Sequence, residues 1–414
     1  MTAIVAVLNK RAVAIAADSA VTMGNTHKVV NSANKIFTLS KYHPVAVMTY
    51  SNASFMGVPW DIIIKEYRKE LRETAFPFLK DYVDDFIRFL YSREFFCDSR
   101  TQSSFLALQL ESFVNICRSE ISRENGMKPE EQTSEVLKEK LQSCMERNKS
   151  AKKCPEFEGY KYDSFKKIAF AGINDYAKRK GLNIQDLLCE SFFYYLSAQL
   201  DTSLSTGLVF VGYGESEIYP SLFPLNVSLG INNHLRYYLD ENNKVTISDH
   251  GPTAVISPFA QVDVTQTVIR GINPSFQDII YNTIGKSIKA FSNAITQKLD
   301  ESPATAMISD SIKALDIDPV IREITLQINK EMRETYTDHL LNTVISLDKE
   351  DMANMAESFI SLTSLVRRMQ PGEETVGGPV DVAVISKGDG FVWINRKHYF
   401  SPELNASFFN NYFK

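Results

Sequence analysis

The first 50 residues alternate between short apolar runs and polar tips. Four runs rich in alanine and β-branched residues predict β-strands, at residues 3–8, 12–18, 35–39 and 44–50. The polar tip Asn9-Lys10-Arg11 joins the first two as a hairpin, and residues 21–34 predict a loop or an irregular hairpin. The chain is therefore expected to begin with an antiparallel meander.

The apolar spacing changes to that of α-helices between residues 54 and 200. Positions i, i+3, i+4 and i+7 are apolar in five stretches, at residues 60–72, 77–92, 103–122, 163–180 and 184–200. Pro77 suits the first turn of the second stretch. The charge-rich residues 124–158 predict an exposed helical excursion between the third and fourth stretches.

Strand patterns return between residues 207 and 268. Asn273-Pro274 is a favourable helix start, and three or four helices are expected from there to residue 370. Residues 380–385 and 391–395 predict a closing hairpin. The order strands, helices, strands, helices, strands predicts two antiparallel sheets covered by helical layers, an α+β architecture, and not the βαβ alternation of a parallel sheet.

Charge and leader signals narrow the function classes. The 414 residues include 45 Lys and Arg against 50 Asp and Glu, a net charge of −5, which argues against nucleic acid or an anionic membrane as a partner. The apolar start lacks a basic n-region and is interrupted by Lys10-Arg11, so it does not resemble a signal peptide. No window matches a membrane span. We therefore expect a cytoplasmic protein.

Common metal, disulfide and phosphate motifs are absent from the sequence. The five cysteines form no CxxC pair, which favours reduced thiols over a zinc ribbon or a disulfide framework. Gly212-Tyr213-Gly214 follows a predicted strand, but Glu217 occupies the third glycine position of a dinucleotide loop, so a hairpin turn is expected. HExxH, GxSxG and P-loop motifs do not occur. No cofactor and no metal are expected.

Thr2 is the residue with the most informative chemistry. Removal of Met1 would expose an N-terminal threonine, which combines a hydroxyl nucleophile with an α-amine whose ordinary pKa is about 7.7–8.0. Such an amine is partly unprotonated at neutral pH and can accept the hydroxyl proton. The sequence therefore predicts Thr2 as a catalytic nucleophile.

The meander places two charged residues where they can support Thr2. Thr2 opens the first predicted strand, Asp18 ends the second and Lys35 opens the third. Strand ends can converge at one edge, where a lysine ammonium lowers the pKa of a nearby amine and hydroxyl and a carboxylate orients it. The alternative is an ordinary surface salt bridge, which contributes little to stability.

Residues 2–35, reading TAIVAVLNKRAVAIAADSAVTMGNTHKVVNSANK, resemble the start of proteasome β-type subunits and of their bacterial HslV-type relatives. Residues 376–385 resemble the closing strand of the same family. The resemblance implies an N-terminal nucleophile (Ntn) hydrolase with a four-layer αββα sandwich, a threonine nucleophile at Thr2 and a supporting aspartate and lysine at Asp18 and Lys35. It also implies one domain over residues 1–414, elaborated by helical insertions at 77–200 and 287–354.

The sequence departs from that family at three supporting positions. In that family a glycine after the fourth strand serves the oxyanion hole with its backbone N–H. The corresponding stretch here is Tyr50-Ser51-Asn52-Ala53, so a backbone N–H of Tyr50 or Ser51 is expected to take that role. Glu373 occupies the place of a supporting aspartate. A family serine near the start of a later helix has only Ser275 as a candidate.

The resemblance implies a threonine-nucleophile peptidase acting on a peptide or protein. It also implies self-association in rings and an ATPase partner, both of which the insertions can alter. The rival reading is a non-catalytic scaffold or binding protein of the same fold, favoured by the departures above. An amidase for small molecules or a peptide-modifying transferase would use the same nucleophile.

Overall fold

The structure is a computed structural model, and it describes residues 2–23, 28–297, 316, 318–370, 376–398 and 400–407. Its strands are β1 Ala3–Asn9, β2 Val13–Ala17, β3 Val21–Met23, β4 Lys28–Val30, β5 Ile36–Thr38, β6 Val45–Ser51, β7 Ser54–Phe55, β8 Val58–Pro59, β9 Thr206–Gly212, β10 Ser221–Ile231, β11 His234–Leu239, β12 Val245–Thr246, β13 Ala254–Ala260, β14 Asp381–Ser386 and β15 Gly390–Asn395. The helices are α1 Trp60–Leu71, α2 Leu79–Ser92, α3 Ser99–Asn125, α4 Ser134–Lys149, α5 Tyr162–Arg179, α6 Gln185–Ser197, α7 Asp263–Arg270, α8 Pro274–Gln297, α9 Asp318–Met332, α10 Asp338–Ser346 and α11 Lys349–Met369.

Two antiparallel sheets organise these elements. The first has the strand order β13-β1-β2-β14-β15, so the closing hairpin pairs with the opening hairpin of the chain. The second has the order β11-β10-β9-β6-β5, with β12 beside β10. The fold is therefore mixed α+β with two antiparallel sheets and many helices, as the order of elements predicted.

The core follows from the side-chain alternation of the strands. In β1, Ile4, Ala6 and Leu8 belong to an apolar cluster that also contains Met48 and Val209 of the second sheet. The intervening side chains of β1 face the other way and share a cluster with buried residues of α7, α10 and α11. A third and larger cluster joins the second sheet to α1–α6. Each sheet thus buries one face against helices and shares a cluster with the other sheet.

Most of the predicted elements are confirmed, with two differences. The segment 263–270, expected within a strand region, is the short helix α7, whose β-branched residues such as Val264 and Ile269 gave the strand-like pattern. The charge-rich stretch 124–158 contains α4, which buries Leu137, Leu141 and Cys144 rather than standing exposed. In the described residues, no helix is long and apolar enough to cross a bilayer.

Candidate active site

Thr2 lies at the start of the first sheet and is buried, with 5% of its surface exposed. Its carbonyl accepts a hydrogen bond from the N–H of Gln261 at 3.1 Å, which continues the pairing of β1 with β13 by one residue. Since Ile4 and Ala6 face the cluster between the sheets, alternation places the Thr2 side chain on that same side. The hydroxyl of Thr2 therefore belongs to the space between the two sheets.

Asp18 joins the segments around Thr2 through both carboxylate oxygens. Oδ1 accepts the N–H of Ala3 at 2.9 Å and the ammonium of Lys35 at 2.6 Å. Oδ2 accepts the N–H groups of Ala20 at 3.0 Å and Gly377 at 3.3 Å. A carboxylate with four donors is held in one orientation, and it brings Lys35 to the residue next to Thr2.

Lys35 is almost completely buried, with 3% of its surface exposed. Its ammonium donates to Asp18 and, at 2.7 Å, to the carbonyl of Ala20, which uses two of its three N–H donors. Burial lowers the pKa of Lys35 below its ordinary value of 10.5, and the neighbouring carboxylate of Asp18 opposes that shift. The result is an ammonium that is fixed in place and less basic than a surface lysine.

The end of β6 separates the two candidate oxyanion donors. Thr49 donates its N–H to the carbonyl of Lys35 at 2.8 Å, so the N–H of Ser51, two residues on, points to the same side. Tyr50 points its N–H to the opposite side, toward Gly207 of β9. Because β5 begins only at Ile36, the Ser51 N–H extends past the sheet edge near Lys35. Of the two candidates, Ser51 is therefore the one whose N–H points to the side of Lys35.

Ser51 has an unusual backbone conformation for a residue with a side chain. Its φ is 73°, in the left-handed region that favours glycine. The turn that follows is held by the Asn52 side chain, which donates to the carbonyls of Ser203 and Ser205, both at 2.9 Å. The stretch from Tyr50 to Ala53 lacks the glycine of the family that the sequence resembles. Ser51 nevertheless adopts a backbone conformation that glycine favours.

The Tyr50 ring of β6 reaches across to β13 of the first sheet. It stacks on Phe259 with ring centroids 5.7 Å apart, and it covers Gly207 so closely that a Cβ there would lie 2.0 Å from ring atoms. Only glycine allows this approach. Burial raises the pKa of the Tyr50 hydroxyl above its ordinary value, so the ring stays neutral. Phe259 lies opposite Ile4 of β1, so the ring stacks two residues along the chain from Thr2.

The segment before β14 fastens the end of β2. Besides the bond to Asp18, Gly377 accepts the N–H of Ser19 at 3.1 Å, and the Ser19 hydroxyl donates to the carbonyl of Pro379. Gly378 has φ of 74° and packs against Asn31, where a Cβ would lie 2.8 Å from the asparagine Cβ. Glu373, the candidate supporting carboxylate, lies outside the described residues, as does Met1.

A second buried ion pair lies beside the first and was not predicted from the sequence. Asp381 stands opposite Ala17 in the pairing of β14 with β2, and it accepts both the N–H and the ammonium of Lys397. The Lys397 charge further lowers the pKa of Lys35. Asp381 was recognisable as a carboxylate within an apolar strand, which requires a partner. Lys397 gave no local signal.

Gln261 is a further neighbour of Thr2 that sequence reasoning missed. Its side-chain oxygen accepts from Arg367 of α11, whose guanidinium also contacts Asp263 in the first turn of α7. These contacts fix the residue that bonds the Thr2 carbonyl. Ser275, the candidate for a supporting serine, is instead an exposed residue of the first turn of α8.

Comparison with known proteins finds similarity only to solved structures, and at low sequence identity. No family model matches the chain, and no curated protein matches it. Two solved structures of Anbu from Hyphomicrobium sp. strain MC1 are similar at 8% identity. A Gly-1 mutant has a TM-score of 0.30, with 100% of this chain and 95% of that chain covered, and a second Anbu structure has a TM-score of 0.29, with 99% and 94% covered. Similarity at this level supports no inference about this chain.

In the parts of the chain that the structure describes, no group of three or more His, Cys, Asp or Glu side chains is placed to hold a metal ion. The groups that the structure places near Thr2 are the Asp18 carboxylate, the Lys35 ammonium and backbone N–H donors.

Proposed function

We propose that the chain is a threonine-nucleophile amidohydrolase, acting as a peptidase, with the four-layer αββα sandwich of Ntn hydrolases. The observation that carries the proposal is the buried Asp18 carboxylate, which binds both the Lys35 ammonium and the N–H adjacent to Thr2. A buried ion pair at a strand end has little use as a structural device, because desolvation offsets much of its attraction. Next to a potential N-terminal nucleophile it has a chemical use.

In the proposed first step, the Thr2 hydroxyl attacks the carbonyl carbon of a peptide bond. The hydroxyl proton passes to the Thr2 α-amine, which is free once Met1 has been removed. The Lys35 ammonium, with one N–H left over from Asp18 and Ala20, stabilises the developing alkoxide. The N–H of Ser51 stabilises the oxyanion of the tetrahedral intermediate.

In the proposed second step, the intermediate collapses to an ester on Thr2. The α-ammonium returns its proton to the leaving amine as the C–N bond breaks. Water then attacks the ester carbonyl while the α-amine accepts a proton from it, and breakage of the ester bond restores the hydroxyl. Asp18 takes no proton in this scheme and serves to hold Lys35.

A non-catalytic scaffold of the same fold is the second candidate. It is favoured by the burial of Thr2, which restricts access to the hydroxyl.

Hydrolysis of a fluorogenic peptide library by wild type, Thr2→Ala and Thr2→Ser distinguishes the two candidates. An enzyme should lose at least about 10³-fold activity in Thr2→Ala and keep part of it in Thr2→Ser, which retains the hydroxyl. The melting temperature should remain nearly unchanged in both variants. Activity retained in Thr2→Ala would refute the mechanism, and inactivity of wild-type chain that has lost Met1 would favour the scaffold.

A further inference from the structure

The helices α3 and α4 form an antiparallel hairpin within the insertion on the second sheet. The Lys140 ammonium of α4 pairs with the carboxylates of Glu120 and Glu124 of α3, each at 2.8 Å, and donates a hydrogen bond to Glu124. At the loop end, the Gln132 side chain donates to the carbonyl of Arg118 at 2.9 Å. The Lys140 contacts set the register of α4 against the last turns of α3.

The same register brings Cys117 of α3 opposite Cys144 of α4. The residues are 1% and 3% exposed and belong to the same apolar cluster. The two thiols are neighbours, and each alters the pKa of the other. This pairing follows from the hairpin, because Cys117 lies one turn before Glu120 and Cys144 one turn after Lys140.

Arg147 contacts the Cys144 side of the pair. Its guanidinium donates to the Cys144 sulfur at 3.7 Å. The hydrogen bond from Cys117 and the charge of Arg147 lower the pKa of Cys144, whereas the same contact with Cys144, together with burial, raises the pKa of Cys117. Since Arg147 is itself exposed, the Cys144 sulfur lies only one side chain below the surface.

The other cysteines have different neighbours. Cys154 contacts the carbonyl of Ala198 at 3.5 Å, and Cys189 is next to the hydroxyl of Tyr162. Cys97 is half-buried and has Glu94 nearby, which together with burial raises its pKa. These three cysteines provide internal controls for the reactivity of the pair.

We propose that Cys117 and Cys144 are a peroxide-reactive dithiol that oxidises to a disulfide linking α3 to α4. The Cys144 thiolate attacks one oxygen of a hydroperoxide, the O–O bond breaks, and the departing oxygen takes up a proton as water or an alcohol. The Cys117 thiol then attacks the sulfur of the resulting sulfenic acid, an S–S bond forms, and water leaves. Two thiols are oxidised and one hydroperoxide is reduced.

This site is independent of the proposed chemistry at Thr2. The disulfide would close a covalent loop around residues 118–143 and fix the hairpin that the ion pairs of Lys140 already align. Its formation needs no residue of the candidate active site, so the two proposals can fail separately.

The test is treatment of the reduced full-length protein with hydrogen peroxide, followed by alkylation, intact mass and a peptide map without reductant. We expect the loss of two hydrogen atoms and one cross-linked peptide joining Cys117 to Cys144. Recovery of both residues as alkylated thiols, or a disulfide from either of them to another cysteine, would overturn the proposal.

Variants test the order of the steps. In Cys117→Ala, Cys144 should accumulate as a sulfenic acid that a cyclic 1,3-diketone labels, whereas Cys144→Ala should leave Cys117 unlabelled. In Cys189→Ala the cross-link should form as in wild type. Arg147→Gln should slow oxidation by about threefold for each unit by which the pKa of Cys144 rises, at pH below that pKa. Labelling of Cys117 in Cys144→Ala would contradict the assignment of Cys144 as the attacking thiol.

Discussion

Removal of the Lys35 ammonium is the sharpest perturbation of the candidate active site. The ion pair with Asp18 is 2.6 Å long, and the side chains are 4% and 1% exposed. Breaking a buried pair from one side costs about 3–5 kcal/mol. In Lys35→Met the Asp18 carboxylate keeps its three backbone N–H donors, so we expect the lower end, about 3 kcal/mol of unfolding free energy.

Asp18→Ala should cost more than Lys35→Met. It leaves three backbone N–H groups without their acceptor, at about 1–3 kcal/mol each when buried, and it leaves the ammonium with only the Ala20 carbonyl. We expect a loss of at least about 5 kcal/mol. The double variant should lose less than the sum of the single ones, because after the first removal the second no longer breaks the pair.

Urea denaturation followed by circular dichroism measures these differences, and an exposed ion pair provides the matched control. Lys65 and Asp61 lie 2.8 Å apart in α1 with side chains 49% and 40% exposed, so Lys65→Met should cost at most about 0.5 kcal/mol. The reasoning would be refuted if Lys35→Met matched Lys65→Met, or if Asp18→Ala were no less stable than Lys35→Met.

Three further predictions concern the backbone at β6, a buried arginine and the titration of Lys35. Ser51→Gly should raise the unfolding free energy by about 1 kcal/mol, because glycine adopts its φ of 73° without strain, and a loss of stability in urea would contradict this. Arg236 is 1% exposed and donates to three carbonyls near the end of α6. Arg236→Met should therefore lower the unfolding free energy, measured by urea denaturation, by at least about 3 kcal/mol. The exposed control Arg93→Met should lower it by about 1 kcal/mol or less. Because the pKa of Lys35 is lower in the folded chain than its ordinary 10.5, the unfolded chain binds more protons between the two values. The contribution of Lys35 should therefore make the unfolding free energy increase as the pH rises toward 10.5. The same measurement across pH with Lys35→Met should lack that increase.

The local patterns of the sequence were sufficient to predict the two antiparallel sheets and the positions of Asp18 and Lys35 at strand ends. The alternation in β1 and β2 and the polar tip between them identify a hairpin, and they put Asp18 at the end of β2. Lys35 stands one residue before β5, as the third strand pattern indicated. These features depend on residues close together in the chain, which a single sequence displays.

Other parts of the site depend on contacts that no local pattern displays. Lys397 reaches Asp381 only because β15 returns beside β14, and Gln261 reaches Thr2 only because β13 pairs with β1. The pairing of Cys117 with Cys144 likewise required the register of α3 and α4. Such contacts are set by tertiary packing rather than by spacing along the chain.

The proposed function depends on the claim that Thr2 becomes an N-terminal nucleophile with a free α-amine. The most direct measurement is the intact mass of the untagged protein before and after exposure to a peptide epoxyketone, a reagent that closes a ring with both the hydroxyl and the amine of such a residue. We expect loss of Met1 and a single adduct that maps to Thr2, and no adduct in Thr2→Ala. Retention of Met1, or failure of the Met1-free chain to form the adduct, would contradict the claim.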